Sequence, residues 1–204
     1  MDKHFSMIRG FHLADVFTLA NAACGVAGVG MAMRYLVTHR VDDLLIAAAF
    51  APAAFAFDVL DGRVARWLET SSVLGRELDS LADVISFGVA PAALAVACGL
   101  AGAWDSLVLV YFVCCGVSRL ARYNVTAESF AAETGKVRYF EGTPIPSSVV
   151  LTAVLAWAAW SGRIGTDVLG GSLTILGAQL HPLVLLFALS GTLMVSKTLR
   201  IPKL

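Results

Sequence analysis

Three stretches of this sequence, 84–104, 142–162 and 168–196, contain no Lys, Arg, Asp or Glu. Each reaches the roughly 20 residues that an apolar helix needs to cross the hydrocarbon core of a bilayer. Residues 16–33 form a further uncharged run, and 44–57 and 106–118 form two shorter ones. Only 15% of the chain is charged, whereas a soluble protein has roughly a quarter. The sequence therefore predicts an integral membrane protein and not a soluble α-helical domain.

The uncharged runs predict the overall architecture. We expect one domain over residues 1–204, an all-α bundle of six transmembrane helices at 14–36, 44–66, 74–100, 104–123, 145–163 and 173–196. If the N-terminus is cytoplasmic, only Arg34, Arg40 and Arg163 of the 15 Lys and Arg residues lie outside, which agrees with the positive-inside rule. Both termini are then expected in the cytoplasm, and the membrane is expected to be the inner membrane of the cell.

Three polar segments lie outside the predicted spans. The interval 124–143 is expected to be a cytoplasmic loop, and the Gly-rich interval 162–172 an outside turn. Residues 1–12 mix Phe5, Ile8 and Phe11 with Lys3 and Arg9. This mixture is typical of an amphipathic helix that lies in the membrane interface, and a disordered tail is the alternative.

The segment DVLDGRVARWLETSSVLGRELDSLAD, residues 58–83, carries four aspartates between apolar runs. Asp58 and Asp61 are spaced i, i+3 near the cytoplasmic end of the second predicted helix. Asp79 and Asp83 are spaced i, i+4 at the start of the third. Each pair therefore shares one helix face, and the short connection makes the two helices antiparallel neighbours. We expect the four carboxylates to face one polar crevice that opens to the cytoplasm.

Four negative charges in one crevice repel one another unless cations compensate them. The segment offers oxygen ligands and neither His nor Cys, which suits hard divalent ions such as Mg²⁺ or Mn²⁺. Four carboxylates are enough to hold two such ions. The alternative is a structural role in which the aspartates pair with Arg63, Arg66 and Arg76. Ionisable residues in membrane segments usually have a function, so we favour the metal site.

The complete spacing is Asp58-x2-Asp61-Gly62-x2-Ala65-Arg66-x8-Gly75-x3-Asp79-x3-Asp83. It resembles, at every fixed position, the signature of the CDP-alcohol phosphotransferase family of membrane enzymes. The resemblance implies transfer of a phosphatidyl group from a CDP-linked lipid to an alcohol, with release of CMP. It also implies a homodimer.

The resemblance further assigns roles to the signature residues. Asp58, Asp61 and Asp79 would bind the metal ions, and Asp83 would complete the metal site and act as the general base. The remaining signature residues would line the CDP site, with the arginine on the phosphates: Gly62, Ala65, Gly75 and Arg66. The first span, with Thr18 and Asn21 at i, i+3, would lie beside the nucleotide, so both side chains are candidate CDP contacts. Hydrogen bonding between helices is the alternative for these two.

Other stretches resemble the phosphatidylserine synthase branch of the family: DSLADVISFGVAPA (79–92), SRLARYNV (118–125) and FEGTPIPSS (140–148). This likeness implies CDP-diacylglycerol and L-serine as substrates. A serine acceptor needs a cation for its carboxylate, and Arg119 and Arg122 are the candidates, with a slight preference for Arg122. Ser86, three residues after Asp83, is a candidate for the acceptor pocket.

Several alternatives remain open from the sequence alone. One alternative within the family is a different acceptor alcohol, such as glycerol phosphate or inositol phosphate. Another is an archaeal-type isoprenoid lipid in place of diacylglycerol. A more distant alternative is a divalent-cation transporter that uses the aspartates as a selectivity site. The four cysteines show no CxxC spacing, so neither a disulfide framework nor a zinc site is expected. No nucleic-acid partner is expected.

Overall fold

The computed structural model describes residues 12–68, 72–133, 139–196 and 200–202. The predicted interfacial helix falls almost entirely outside these residues. The described part contains seven α-helices: α1 Leu13–Thr38, α2 Val41–Trp67, α3 Val73–Asp83, α4 Ala90–Ala97, α5 Ala103–Glu133, α6 Val149–Trp160 and α7 Leu185–Val195. Short 3-10 turns over Ile145–Ser148 and Pro182–Val184 lead into α6 and α7. The predicted all-α class is therefore confirmed for the bulk of the chain.

The membrane-protein prediction is confirmed by four helices that are long and apolar enough to cross a bilayer: Leu13–Thr38, Val41–Trp67, Val73–Ala97 and Ala103–Val125. The third of these is continuous from α3 through a π-helical turn, Val84–Val89, into α4. The apolar helices Ile145–Trp160 and Pro182–Val195 are shorter. Four spans are thus supported by helix length and composition, and the count of six stays a prediction.

Two predicted boundaries are wrong. The sixth span was predicted from residue 173, but 173–180 form a hairpin in which β2 (Leu173–Ile175) pairs antiparallel with β3 (Ala178–Leu180). Leu176 and Gly177 in its turn have φ values of 51° and 79°, which no continuous α-helix allows. The interval 124–143 was predicted as a loop, yet α5 continues to Glu133, because 124–133 contains several helix-favouring Ala and Glu residues and no Gly or Pro.

The hairpin is attached to the start of α5 by a buried carboxylate. Asp105 is completely buried and accepts hydrogen bonds from the backbone N–H groups of Gly102 (2.9 Å) and His181 (2.8 Å). Its Oδ2 atom also lies 2.6 Å from His181 Nδ1. The Trp104 indole N–H donates to the carbonyl of Ile175 at 2.9 Å. These contacts fix the hairpin at the end of the bundle opposite the aspartates.

Small residues bring α1 and α2 close together. Gly25, Gly28 and Ala32 are buried on α1, and a side chain at Gly28 would begin 3.4 Å from the carbonyl oxygen of Ala47 on α2. Small residues of this kind allow helix backbones to approach closely in membranes. The bundle also contains larger buried side chains, such as the edge-to-face pair Phe112 and Phe187, with ring centroids 5.2 Å apart.

Residues near the C-terminus hold the polypeptide that leads into α6. The strand β1 (Tyr139–Glu141) pairs antiparallel with β4 (Arg200–Pro202). Immediately afterwards, Gly142 has a φ of 75°, and a Cβ atom there would lie 2.3 Å from the carbonyl oxygen of Met194. The Thr143 N–H donates to the carbonyl of Leu193 at 3.2 Å. Only glycine tolerates both this backbone conformation and this contact. Gly142 therefore fixes where the segment 142–148, which leads into α6, begins.

Candidate metal and substrate site

The four aspartates meet where the end of α2 faces the start of α3. Asp58, Asp61 and Asp79 each place one carboxylate oxygen within 4.8 Å of the other two. The charge of Asp83 interacts with all three of them. Asp61 and Asp83 are buried, and Asp58 and Asp79 are half-buried. The clustering of the carboxylates predicted from the helical spacing is therefore present, and a crevice that opens to the cytoplasm stays a prediction.

The donor set fits divalent cations. Mg²⁺ and Mn²⁺ prefer carboxylate oxygens, and three such oxygens already lie close enough to share an ion. Asp79 Oδ1 is buried and has no hydrogen-bond partner among the described residues, although a buried carboxylate oxygen normally has one. Arg63 and Arg66 are exposed, and neither forms an ion pair with the cluster in the described part of the chain. The structure thus gives little support to their pairing with the aspartates.

Two side chains of α1 hold the aspartates in place. The Thr18 hydroxyl donates to Asp61 Oδ2 at 2.7 Å, and the Asn21 amide donates to Asp83 Oδ1 at 3.2 Å. The Ser86 hydroxyl donates to the backbone carbonyl of Asn21 at 2.8 Å. All three residues are buried. The described contacts of Thr18 and Asn21 thus correspond to the alternative of interhelical hydrogen bonding, and contact with CDP stays a prediction.

The two signature glycines have different surroundings. A Cβ atom at Gly62 would meet only Arg66 Nη1, at 3.6 Å, which is an ordinary contact. A Cβ atom at Gly75 would lie 2.9 Å from Asp15 Oδ1 and 3.1 Å from Ser72 Oγ. Packing therefore accounts for Gly75. It does not account for Gly62, which borders open space beside the aspartates.

Asp15 is a buried residue of this region that the sequence analysis missed. Its side chain is 3% exposed, and Oδ2 accepts a hydrogen bond from the His12 N–H at 2.7 Å at the start of α1. Its Oδ1 atom lies against Gly75, and its charge interacts with that of Asp61. The spacing of three residues between Asp15 and Thr18 could have indicated its position, since it places both side chains on one face of α1.

The structure distinguishes the two arginines of α5. Arg119 is 8% exposed, and its charge interacts with that of Asp83. Its Nε atom is buried and has no hydrogen-bond partner among the described residues. Arg122 is half-buried, one turn nearer the end of the predicted span. Of the two candidates, Arg119 is thus the more deeply buried, and its charge interacts with that of Asp83.

A polar contact joins α3 to α5 beside the aspartates. The Asn124 amide donates to Ser80 Oγ at 3.0 Å and to Glu77 Oε1 at 3.2 Å. Ser80 directly follows Asp79, so this contact fixes the position of α3 relative to the helix that carries Arg119. Nothing in the local spacing of Asn124 indicated this role.

Comparison with known proteins agrees with this arrangement. Residues 11–194 match the CDP-alcohol phosphatidyltransferase family. A CDP-diacylglycerol–serine O-phosphatidyltransferase of Saccharomyces cerevisiae is 42% identical over 207 residues, covering 99% of this chain and 74% of that protein. The enzyme of the same name from Bacillus subtilis is 32% identical over 152 residues, covering 72% of this chain and 76% of that protein.

The enzyme of that name from Mycobacterium tuberculosis is 42% identical over 141 residues, which are 68% of this chain and 46% of the mycobacterial protein. The match thus spans about half the length of the mycobacterial relative. The family match covers the signature, the apolar helices and the residues around the aspartate cluster. The sequence resemblance is therefore confirmed: the chain belongs to the CDP-alcohol phosphatidyltransferase family.

Proposed function

We propose that this protein transfers the phosphatidyl group of CDP-diacylglycerol to the hydroxyl group of L-serine, giving phosphatidylserine and CMP. The observation that carries the proposal is the cluster of Asp58, Asp61 and Asp79 next to the buried Asp83 and Arg119. The names of the relatives from yeast and bacteria support serine as the acceptor. The proposed location of the reaction is the cytoplasmic face of the inner membrane, because the positive-inside rule favours the cytoplasmic side for the aspartates.

Asp58, Asp61 and Asp79 would hold two divalent cations, Mg²⁺ or Mn²⁺, with Asp83 completing the site. The ions would neutralise the diphosphate of the substrate and stabilise the charge on the departing CMP oxygen. Thr18 fixes one orientation of the Asp61 carboxylate through its 2.7 Å hydrogen bond. Removing such a hydrogen bond to a metal ligand typically lowers the metal affinity by about 10- to 100-fold.

Asp83 is the proposed general base. Its carboxylate takes the proton of the serine hydroxyl as the serine oxygen attacks the phosphorus that carries the lipid. The bond between that phosphorus and the CMP oxygen then breaks, and both electrons leave with CMP. The Asn21 amide donates to Asp83 Oδ1 and thereby orients the carboxylate, because a base acts only within hydrogen-bond reach of the proton it removes.

The donor nucleotide is proposed to lie along the open side of α2. Gly62 leaves the backbone accessible there, and Ala65 and Arg66 follow on the same helix end. The exposed guanidinium of Arg66 can bind phosphate oxygens, as arginines do in other phosphoryl transfers. Gly75 contributes indirectly, since its lack of a side chain makes room for Asp15 and Ser72.

Arg119 is the proposed partner of the serine carboxylate. A buried guanidinium without a full set of hydrogen bonds is unfavourable unless an anion compensates it, and Arg119 Nε lacks a partner among the described residues. For this reason Arg119 is preferred over Arg122 in this proposal. Ser86 donates its hydroxyl hydrogen to the carbonyl of Asn21. That hydrogen is therefore not available to serine, and Ser86 would contribute to the shape of the acceptor pocket. The family resemblance also supports a homodimer.

Release of CMP from CDP-diacylglycerol tests this proposal directly. Purified protein in detergent is assayed with Mn²⁺ or Mg²⁺ and with L-serine, glycerol 3-phosphate, inositol phosphate or no acceptor. We expect release that requires serine and a divalent ion. Asp83→Asn should abolish it, and Arg119→Gln should raise the KM for serine far more than Arg122→Gln. Release with a different acceptor would refute the choice of serine.

The transporter alternative makes a different prediction. Protein in sealed vesicles would take up Mn²⁺ without nucleotide or lipid substrate, and Asp83→Asn would reduce that uptake. Such uptake together with no CMP release from any acceptor would overturn the proposed enzyme activity.

A further inference from the structure

The hairpin 173–180 has one apolar and one polar face. The apolar face consists of the two cross-strand pairs Leu173 with Leu180 and Ile175 with Ala178. The pair between them, Thr174 and Gln179, lies on the opposite face, because successive side chains alternate along a strand. Both of these polar residues are exposed. The hairpin is therefore amphipathic, and it contains no charged residue.

The bundle covers only part of the apolar face. Leu180, on β3, packs against the buried core of the bundle. On β2, the same face is open, since Leu173 is 53% and Ile175 43% exposed. The apolar face thus points towards the bundle at β3, and at β2 it extends beyond the edge of the bundle.

The turn of the hairpin contains an unusual residue. Leu176 and Gly177 connect the strands with φ values of 51° and 79°. Two-residue turns with positive φ at both positions favour Asn, Asp or Gly followed by Gly, because bulkier side chains are unfavourable in this conformation. Leu176 is also 92% exposed. In water this leucine is unfavourable on both counts, whereas its exposure becomes favourable where hydrocarbon surrounds it.

Contacts with α5 place the hairpin at the level where the apolar part of that helix begins. Trp104 donates to the carbonyl of Ile175 near the turn, and Asp105 accepts from the His181 N–H at the other end of the hairpin. Trp104 and Asp105 are neighbours at the start of the candidate span Ala103–Val125. Since adjacent helix residues differ by only about 1.5 Å in height, the hairpin lies across the end of α5 and not along it.

The exposed surface of α5 continues into the hairpin. Trp104, Leu107 and Tyr111 share one face of α5, because they are three and four residues apart. Leu107 and Tyr111 are exposed on a helix that is long and apolar enough to cross a bilayer, so this face is expected to contact lipid. The Trp104 indole attaches the hairpin to the same face. Tryptophan is itself enriched at the boundary between membrane and water.

We propose that the hairpin 173–180 is a membrane anchor that binds the lipid interface at the end of the bundle opposite the aspartates. Leu173, Ile175 and Leu176 insert among the lipids, and Thr174 and Gln179 face the water. This surface lies away from the aspartates, and the inference does not depend on the proposed enzyme activity.

Two further observations support lipid as the partner and the interface as the depth. Residues 168–196 contain no Lys, Arg, Asp or Glu, whereas exposed edge strands in water usually carry charges. Among the described residues, β2 belongs to a two-stranded sheet with β3, so its outer backbone groups need water or lipid headgroups as partners. The hairpin is therefore expected at the interface and not in the hydrocarbon core.

Quenching of a fluorescent label at single positions tests the depth of each face. The variants Leu173→Cys, Leu176→Cys and Thr174→Cys are made in a chain whose four native cysteines are replaced by alanine. Each is labelled and reconstituted in phosphatidylcholine vesicles. Two quenchers are compared: a nitroxide on the acyl chain near the headgroup, and iodide on both sides of the membrane. Thr174 is the matched control, because it is an exposed residue of the same strand on the opposite face.

We expect the nitroxide lipid to quench the labels at positions 173 and 176 more strongly than iodide does, and the order to reverse at position 174. Amphipathic helices in the interface bury their apolar face about 5–10 Å into the boundary between headgroups and acyl chains, and we expect a similar depth for this hairpin. The elution volume in gel filtration checks the fold of each variant. If Leu173→Cys aggregates, Leu176→Cys supplies the comparison with Thr174→Cys.

Two results would overturn the inference. Equal and strong quenching by iodide at all three positions would show that the hairpin projects into water. Protection of positions 173 and 176 from both quenchers would show that protein covers the apolar face, for example a second copy of this chain. Neither result involves CMP release, so a failure of the proposed function is detected separately.

Discussion

Replacing Gly62 by alanine distinguishes an effect on substrate binding from an effect on folding. It lies inside α2, where replacing Gly by Ala favours the helix by about 0.8–1 kcal/mol. The added methyl group would meet only Arg66 Nη1, at 3.6 Å, so the protein itself has room for it. If the CDP group occupies the open space beside Gly62, the methyl group crowds the substrate instead. Inserting a methyl group into a filled site costs about 1–3 kcal/mol, which corresponds to about 5- to 150-fold in affinity.

We therefore expect Gly62→Ala to keep or raise the apparent Tm in detergent and to raise the KM for CDP-diacylglycerol by at least about fivefold. The KM for serine at saturating lipid should change little. Gly75→Ala is the contrasting variant, because its methyl group would lie 2.9 Å from Asp15 Oδ1 and should lower the Tm. The reasoning is refuted if Gly62→Ala lowers the Tm while the KM for CDP-diacylglycerol stays the same.

Three further predictions follow from single contacts. Thr18→Val removes the donor to Asp61 and should raise the Mn²⁺ concentration for half-maximal CMP release by about 10- to 100-fold; an unchanged metal titration would contradict this. Asp105→Ala leaves the N–H groups of Gly102 and His181 without their acceptor and should destabilise the fold by about 2–3 kcal/mol or more, measured by thermal unfolding; an unchanged Tm would contradict it. Cys98 is 2% exposed, so in a variant whose only cysteine is Cys98, maleimide labelling at pH 8 should be negligible until SDS unfolds the protein. Rapid labelling of the folded variant would refute this.

The clustering of the aspartates was predictable because the helical repeat determines locally which residues share a face. Spacings of three and four residues put each carboxylate pair on one helix face wherever the helix lies. The four long spans were predictable for a similar reason, since an uncharged apolar segment of sufficient length is stable as a helix in a bilayer.

One wrong boundary lies in a segment whose structure the local sequence does not determine. Residues 173–180 are uncharged and apolar enough to resemble part of a span. Their hairpin depends on contacts with the distant Asp105 and Trp104, together with a turn at Leu176 and Gly177. Composition alone does not distinguish a short apolar hairpin from the first turns of a helix.

By itself, the sequence determined the class of protein, the family and the clustering of the carboxylates, because these depend on composition and on spacing within single helices. Only the tertiary structure decided which side chains surround them. Thr18 reaches Asp61 and Asn21 reaches Asp83 across 43 and 62 residues of sequence, and the charge of the buried Arg119 interacts with that of Asp83. These relations depend on how α1 and α5 are rotated against α2 and α3. That rotation is fixed by packing between segments far apart in the chain, which no local pattern records.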